Sequence, residues 1–324
     1  MNALVTGAEG FIGRHLVQAL LDRGARVTAT RLEPRAADPP DGPSPEWRVL
    51  DVLDVAATRS AVEAAHPDTL FHLAGFSSGG KARARAGEAL RTNAEGTLNV
   101  IESVAAAAPG CRVIVPGSAH VYGDPGPDPV GEDAPVAPGS AYGVSKAAQE
   151  LVALTLGAAR RVDVRVARLF PLIGPGQADA FVVPSFCRQA AEIASGRASP
   201  ALDVGNLDVE RDFVHVLDGV AALLAIATPD RPSYRTYNVC SGVGTSIRTV
   251  LSWVLAEAGI DPEIRVDPDR VRGDDPPRIV GSAERLQEAA GWTCSRDVRE
   301  GVRDTYSWVA AVDPAPLKRG AERG

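Results

Sequence analysis

No stretch of this 324-residue sequence approaches the roughly 20 consecutive apolar residues that span a bilayer. Its amino terminus, MNALVTGAEG, lacks a charged leader followed by a long apolar region, so no secretory signal is expected. Basic runs are missing too, and a formal net charge of −7 argues against broad nucleic-acid binding. The four cysteines, Cys111, Cys187, Cys240 and Cys294, are scattered without a CxxC pair or metal-ligand spacing. They are expected to be reduced structural residues of a cytoplasmic protein, with no metal site. There is no internal repeat. What remains is an ordinary globular composition, 45% hydrophobic and 23% charged, long enough for one large domain or two.

Short apolar strands alternate with helices along the first half. ALVTG, RVTAT, EWRVLDV, TLFHLAG, CRVIVPG and VDVRVARL read as strands. GFIGRHLVQALLDRG reads as a helix with Leu16, Leu20 and Leu21 on its buried side, and further helices are expected near 55–65, 86–107 and 141–159. This alternation predicts a doubly wound parallel sheet covered on both faces, an α/β fold. From about residue 171, Pro/Gly-rich loops mix with short strands (ALDV, TYNV) and helices near 182–195, 216–227, 246–259 and 296–311. The expected division is 1–170 for a cofactor-binding domain and 171–312 for a smaller α/β substrate lobe with some segments returning to the first domain. A frayed tail follows at 313–324.

VTGAEGFIG places Gly7, Gly10 and Gly13, with Phe11 and Ile12 between them, at the turn from the first strand into the first helix. Such a turn lets a pyrophosphate approach the helix amino terminus, where N–H groups and the dipole favour anions. At the end of the second strand, where an acid would bond the ribose hydroxyls of NAD, stands Arg31, with Arg35 close behind. Two readings stand: a bidentate clamp on the 2′-phosphate of NADP, which makes NADP(H) the expected cofactor with NAD as the alternative, or a solvated surface arginine. Asp51 and Val52 are expected to flank the adenine. Leu73, Ala74 and Gly75 are expected to bring backbone close to the cofactor.

Tyr142 and Lys146 stand at i and i+4, on one helix face. A free tyrosine titrates at about 10. A nearby ammonium and an oxidised nicotinamide are expected to lower that value, making Tyr142 an acid/base group. Ser118, at a strand end, can donate to the same substrate oxygen. YxxxK alone is common by chance; glycine turn, strand-end serine and YxxxK in this order are much more specific.

With these residues together, the chain resembles the extended short-chain dehydrogenase/reductase family over about 2–308. TGAEGFIG, HLAG, TNAEGTLNV, GSAHVYG and YGVSK look like its cofactor and catalytic blocks. LIGPGQADAFVVPSF, VGNLDVERDFVHVLD and RGDDPPRIVGSAERLQEAAGW are similar to the branch of GDP-mannose 4,6-dehydratases and GDP-4-keto-6-deoxymannose reductases. The resemblance implies a Rossmann fold, a catalytic set of Ser118, Tyr142 and Lys146, and support of the site by Asn93. It also implies that Val182 lines a base pocket, that Arg211 and Arg272 bind a diphosphate, and that Asp275 reaches the nucleoside. Helices near 86–107 and 141–159 would pair two copies into a homodimer.

Two departures from the family pattern matter. Pro171 stands where members usually carry an Asn that bonds the sugar nucleotide. Ala119 and His120 stand where dehydratases carry an acidic residue, which disfavours dehydration. His120 is either a substitute proton carrier or a loop residue shaping the sugar pocket. The leading expectation is NADPH-dependent reduction of a 4-keto nucleotide sugar. The alternatives are a 4-epimerase on tightly held NAD(P) and a non-catalytic cofactor-binding protein.

Overall fold

β1 (Asn2–Thr6), β2 (Arg26–Arg31), β4 (Thr69–His72), β5 (Arg112–Ser118) and β6 (Asp163–Leu169) are buried along nearly their whole length, as strands covered on both faces must be. β3 (Glu46–Val49) is more exposed and forms an edge. The computed structural model describes residues 1–34, 43–77, 79–228, 234–271 and 276–312. In it these strands join Thr236–Val239 in one seven-stranded sheet ordered Thr236–Val239, β6, β5, β4, β1, β2, β3, every neighbour parallel. This is the expected doubly wound Rossmann fold. TYNV, read from the sequence as part of the small lobe, is instead the sheet's last strand. It pairs in parallel with the edge of β6 that β5 does not cover.

Helices cover the faces: α1 (Phe11–Leu21), α2 (Val55–Ala65), α3 (Gly79–Ala84), α4 (Ala86–Leu90), α5 (Gly96–Ala107) and α6 (Ala141–Arg160). On α1, Leu16, Val17 and Leu20 are buried while Leu21 is only half-buried, so Val17 fills the place expected for Leu21. They pack against Val220, Leu223 and Ile226 of helix Val216–Ala227, a second late segment that returns to the sheet. The helix expected near 86–107 is broken into α4, a π-helical turn at Arg91–Glu95, and α5. Thr97 Oγ1 donates to the Asn93 carbonyl at 2.6 Å within this region, a local bond that competes with regular helix geometry.

The later lobe is built around α7 (Val182–Ala194) and helices Ile247–Ala258 and Val298–Ala311, with Phe186, Leu202, Val250 and Val302 in its core. ALDV forms Ala201–Val204 and pairs in parallel with Glu263–Val266. Glu210–Asp212 pairs with Gly244–Ser246 and Arg278–Ile279 in a second small sheet. The tail expected to fray at 313–324 lies outside the described residues.

Candidate active site

A cleft of about 860 Å³ lies at the carboxyl ends of β1, β2, β4 and β5, roofed by residues of the later lobe. Open α/β sheets bind ligands at this point, where the strand order reverses beside the first strand. β1 leads into Gly7, whose φ of +64° is left-handed and whose absent side chain would stand 2.7 Å from the Ala74 nitrogen. A side chain on Gly13 would meet the Gly7 carbonyl at 2.5 Å. The two glycines thus permit a tight approach of loop, helix and the Leu73–Gly75 segment. Gly10 precedes α1 with no side-chain cap, which leaves first-turn N–H groups to whatever occupies the cleft. A bare helix start and close-packed backbone fit a dinucleotide pyrophosphate.

Gly7, Gly10, Phe11, Ile12, Gly13, Arg31, Leu73, Ala74 and Gly75 all line the cleft. Arg31 is buried, its guanidinium 4.8 Å from the Trp47 ring centre and 3.9 Å from a Glu9 carboxylate oxygen. It is therefore not the solvated surface arginine of the second reading. Asp51 and Val52 do not line the cleft. Asp51 accepts from the Leu53 N–H at 2.9 Å in the turn toward α2, and Val52 is buried beneath Gly96. Arg35 lies outside the described residues.

Ser118 ends β5 and Tyr142 begins α6, whose start is capped by Ser140 accepting from the Gly143 N–H. Gly143 lets the helix sit against the preceding turn, since a side chain there would stand 2.6 Å from the His120 carbonyl. Tyr142 and Ser118 share a hydrogen bond, and the His120 ring meets Tyr142 edge-on with centroids 5.4 Å apart. Burial pushes the Tyr142 phenol up to about 12, with the Ser118 bond opposing it. Lys146 is not among the groups that shift the phenol. The Lys146 ammonium is bonded elsewhere, donating to the Pro116 carbonyl at 2.9 Å and to Gln149 Oε1 at 2.8 Å. Burial alone lowers Lys146 to about 8. Desolvation thus dominates both groups.

Asn93 holds the surroundings together. It accepts from the Phe76 N–H and donates to Ser145 Oγ, both at 2.9 Å, joining the loop after β4 to α6. His120, Val182 and Arg211 also line the cleft, and Arg211 is itself buried. Arg272 and Asp275 lie outside the described residues. Pro171 also lines the cleft. Two contributors were missed by sequence reasoning. Glu9 carried no signal beyond its place in the glycine turn. Gln177 lies in a Gly/Pro loop, donates to the Leu172 carbonyl at 2.8 Å, and leaves its buried amide oxygen without a partner.

The NAD dependent epimerase/dehydratase family model matches residues 3–240. The chain belongs to that family. It is 33% identical over 313 residues to GDP-6-deoxy-D-mannose reductase of Pseudomonas aeruginosa, covering 95% of this chain and 97% of the relative. It is 30% identical over 344 residues to UDP-glucose 4-epimerase of Azospirillum brasilense, covering 100% and 96%. Among solved structures, the NADPH complex of RMD from Pseudomonas aeruginosa superposes with a TM-score of 0.80 at 31% identity, covering 96% of this chain and 99% of that one. Among the described residues no helix is long and apolar enough to cross a membrane, and no cluster of side chains suits a metal ion.

Proposed function

We propose that this member of an NAD(P)-dependent family of nucleotide-sugar enzymes reduces a 4-keto nucleotide sugar, with GDP-4-keto-6-deoxymannose as the leading substrate. One observation carries the reading: the turn after β5 offers Ser118, Ala119 and His120 beside Tyr142, with no carboxylate, and Tyr142 is held in its protonated form. The acids lining the cleft are Glu9, Asp179 and Asp269, and none belongs to that turn. Proton removal from C5, which dehydration requires, has no carboxylate there. A ketone reduction needs only a proton donor and an oriented carbonyl.

NADPH, when bound, supplies the hydride. Gly7, Gly10 and Gly13 would hold its pyrophosphate, and Arg31 its 2′-phosphate. Ser118 orients the substrate oxygen, and Tyr142 Oη delivers the proton to it. Lys146 keeps a third N–H beyond its two protein bonds for the cleft. Val182, His120 and Arg211 serve the nucleotide sugar, joined in this proposal by Arg272 and Asp275. Gln177 presents a buried acceptor in a cleft where Pro171 has no polar side chain. The division at residue 170 belongs to this reading. So does pairing of two copies through α4, α5 and α6, supported by exposed Leu90, Val144 and Leu151 and measurable by sedimentation.

A second reading, a 4-epimerase on tightly held NAD, is favoured by Glu9, whose carboxylate beside Arg31 opposes a 2′-phosphate. Incubation with 4-keto and 4-hydroxy nucleotide sugars, with and without NADPH, separates the two. Net NADPH consumption with a 4-keto sugar supports reduction. Interconversion of 4-hydroxy epimers without net cofactor change overturns it.

A further inference from the structure

The buried side chains behind Lys146 form a hydrogen-bonded line in which every proton can be assigned. Thr97 Oγ1 lies 2.6 Å from the Asn93 carbonyl, so its one hydrogen goes there. Its other two neighbours must then be donors: Gln149 Nε2 at 3.0 Å and His72 Nε2 at 3.1 Å. His72 is thereby the Nε2–H tautomer, and its bare Nδ1 accepts from Thr6 Oγ1 at 2.9 Å. Thr6 in turn accepts from the Ala74 N–H at 3.2 Å, beside the glycine turn. Burial pushes His72 down to about 3, so it keeps one donor and one acceptor at working pH.

The consequence falls on Gln149. With its amide nitrogen required at Thr97, its oxygen must face the other way, and there it meets Lys146 Nζ at 2.8 Å. The flipped amide would set NH2 against an ammonium and leave Thr97 without a hydrogen to give. We infer that Gln149 is a positioning residue for Lys146, its amide oxygen locked onto the ammonium by a buried chain through Thr97 and His72 to Thr6.

This inference rests on the proposed use of Lys146 beside Tyr142. Tyr142 and Glu150 stand four residues either side of Lys146 on α6, His120 on the turn after β5 meets Tyr142 edge-on, His72 on β4 feels the lysine charge, and Glu150 is paired with Arg168 of β6. The pairs Arg91–Glu95 and Arg160–Glu102 are exposed on the outer surface. None of these side chains takes the place of the Gln149 oxygen.

Lys81, Lys146 and Lys318 are the chain's lysines, so protein labelled with ¹⁵N at lysine gives a short spectrum that Lys146→Met assigns. Without cofactor, the Lys146 Nζ titration midpoint should rise by about one pH unit in Gln149→Glu and fall by about one in Gln149→Met. The pH profile of kcat should move in the same opposite directions. Thr97→Val, which removes the group that fixes the amide, should lower the midpoint, and Thr97→Ser should restore it. This pair reads the chain even where a Gln149 variant does not fold. Unchanged midpoints, or both Gln149 variants moving the same way, overturn the inference. Wild-type kcat in Lys146→Met overturns the proposed use of the lysine instead, while the titrations still decide the positioning claim.

Discussion

Gln149 and Glu150 are neighbours on α6, yet they enter two buried networks of opposite character. Gln149 joins amide, hydroxyl and neutral imidazole groups that end on one ammonium. Glu150 receives a two-point ion pair from Arg168, at 2.6 and 3.0 Å. Arg168 also donates to Tyr122 Oη at 2.8 Å and to the Glu132 carbonyl at 3.1 Å, and Tyr122 donates to Asn238 of the last sheet strand. The first network orients a group facing the cleft. The second clamps α6, the turn carrying Ser118, and two strands. Neutral donors and acceptors can be ordered without a large desolvation cost, whereas a buried charge must stay paired. The two networks should therefore fail in different measurements.

The largest effect expected is on turnover alone. Tyr142→Phe should lower kcat by about 10²–10⁴-fold with little change in melting temperature or cofactor affinity. Near-normal kcat in the folded variant removes Tyr142 as the proton donor. Glu150→Ala should do the reverse, costing about 3–5 kcal/mol in urea unfolding because Arg168 is left buried and unpaired. A loss below about 1 kcal/mol would erase the contrast between the two networks.

Lys146 sharpens the contrast through pH. Its folded value of about 8 lies below the ordinary 10.5. Between those values the unfolded chain holds the proton and the folded chain does not, so this group makes stability rise as pH climbs through 8 toward 10. Lys146→Met should remove that rise and raise the melting temperature at pH 7. A pH profile identical to wild type would show that the ammonium is not desolvated.

Smaller effects test the residues at the rim. His120→Asn should reduce kcat less than about tenfold, equivalent to roughly 1.4 kcal/mol, because protonation by Tyr142 needs no second base. A larger loss, with disappearance of solvent exchange at substrate C5, would make His120 a proton carrier. Glu9→Gln should shift preference toward NADPH by up to about fivefold, the range of a partly exposed charge contact. No change in the ratio of the two cofactor affinities would show that Glu9 does not oppose the 2′-phosphate.

Much of this was legible from sequence where function depends on local spacing. The glycine turn, Ser118 and the i, i+4 pair lie within single strand–helix units, and the structure brings them to one cleft. Gln149 could have been found the same way, being three residues after Lys146 and so on its helix face. Long-range effects were not legible. The burial that raises Tyr142, and the bonds from Lys146 to Pro116 and Gln149, depend on distant packing. TYNV looked like lobe because no local pattern records that β6 lacks a neighbour.

That late strand bears on how the chain is made. When residues 1–170 have left the ribosome, β6 still shows an unpaired edge, and the Arg168 clamp lacks Asn238. Synthesis at about 5–20 residues per second leaves that edge open for several seconds before Thr236–Val239 arrives. Unpaired edges recruit foreign strands, so the nascent protein passes through a sticky interval that the finished enzyme never shows. A chain cut at residue 170 would prolong that interval indefinitely and should aggregate rather than bind cofactor as a soluble half.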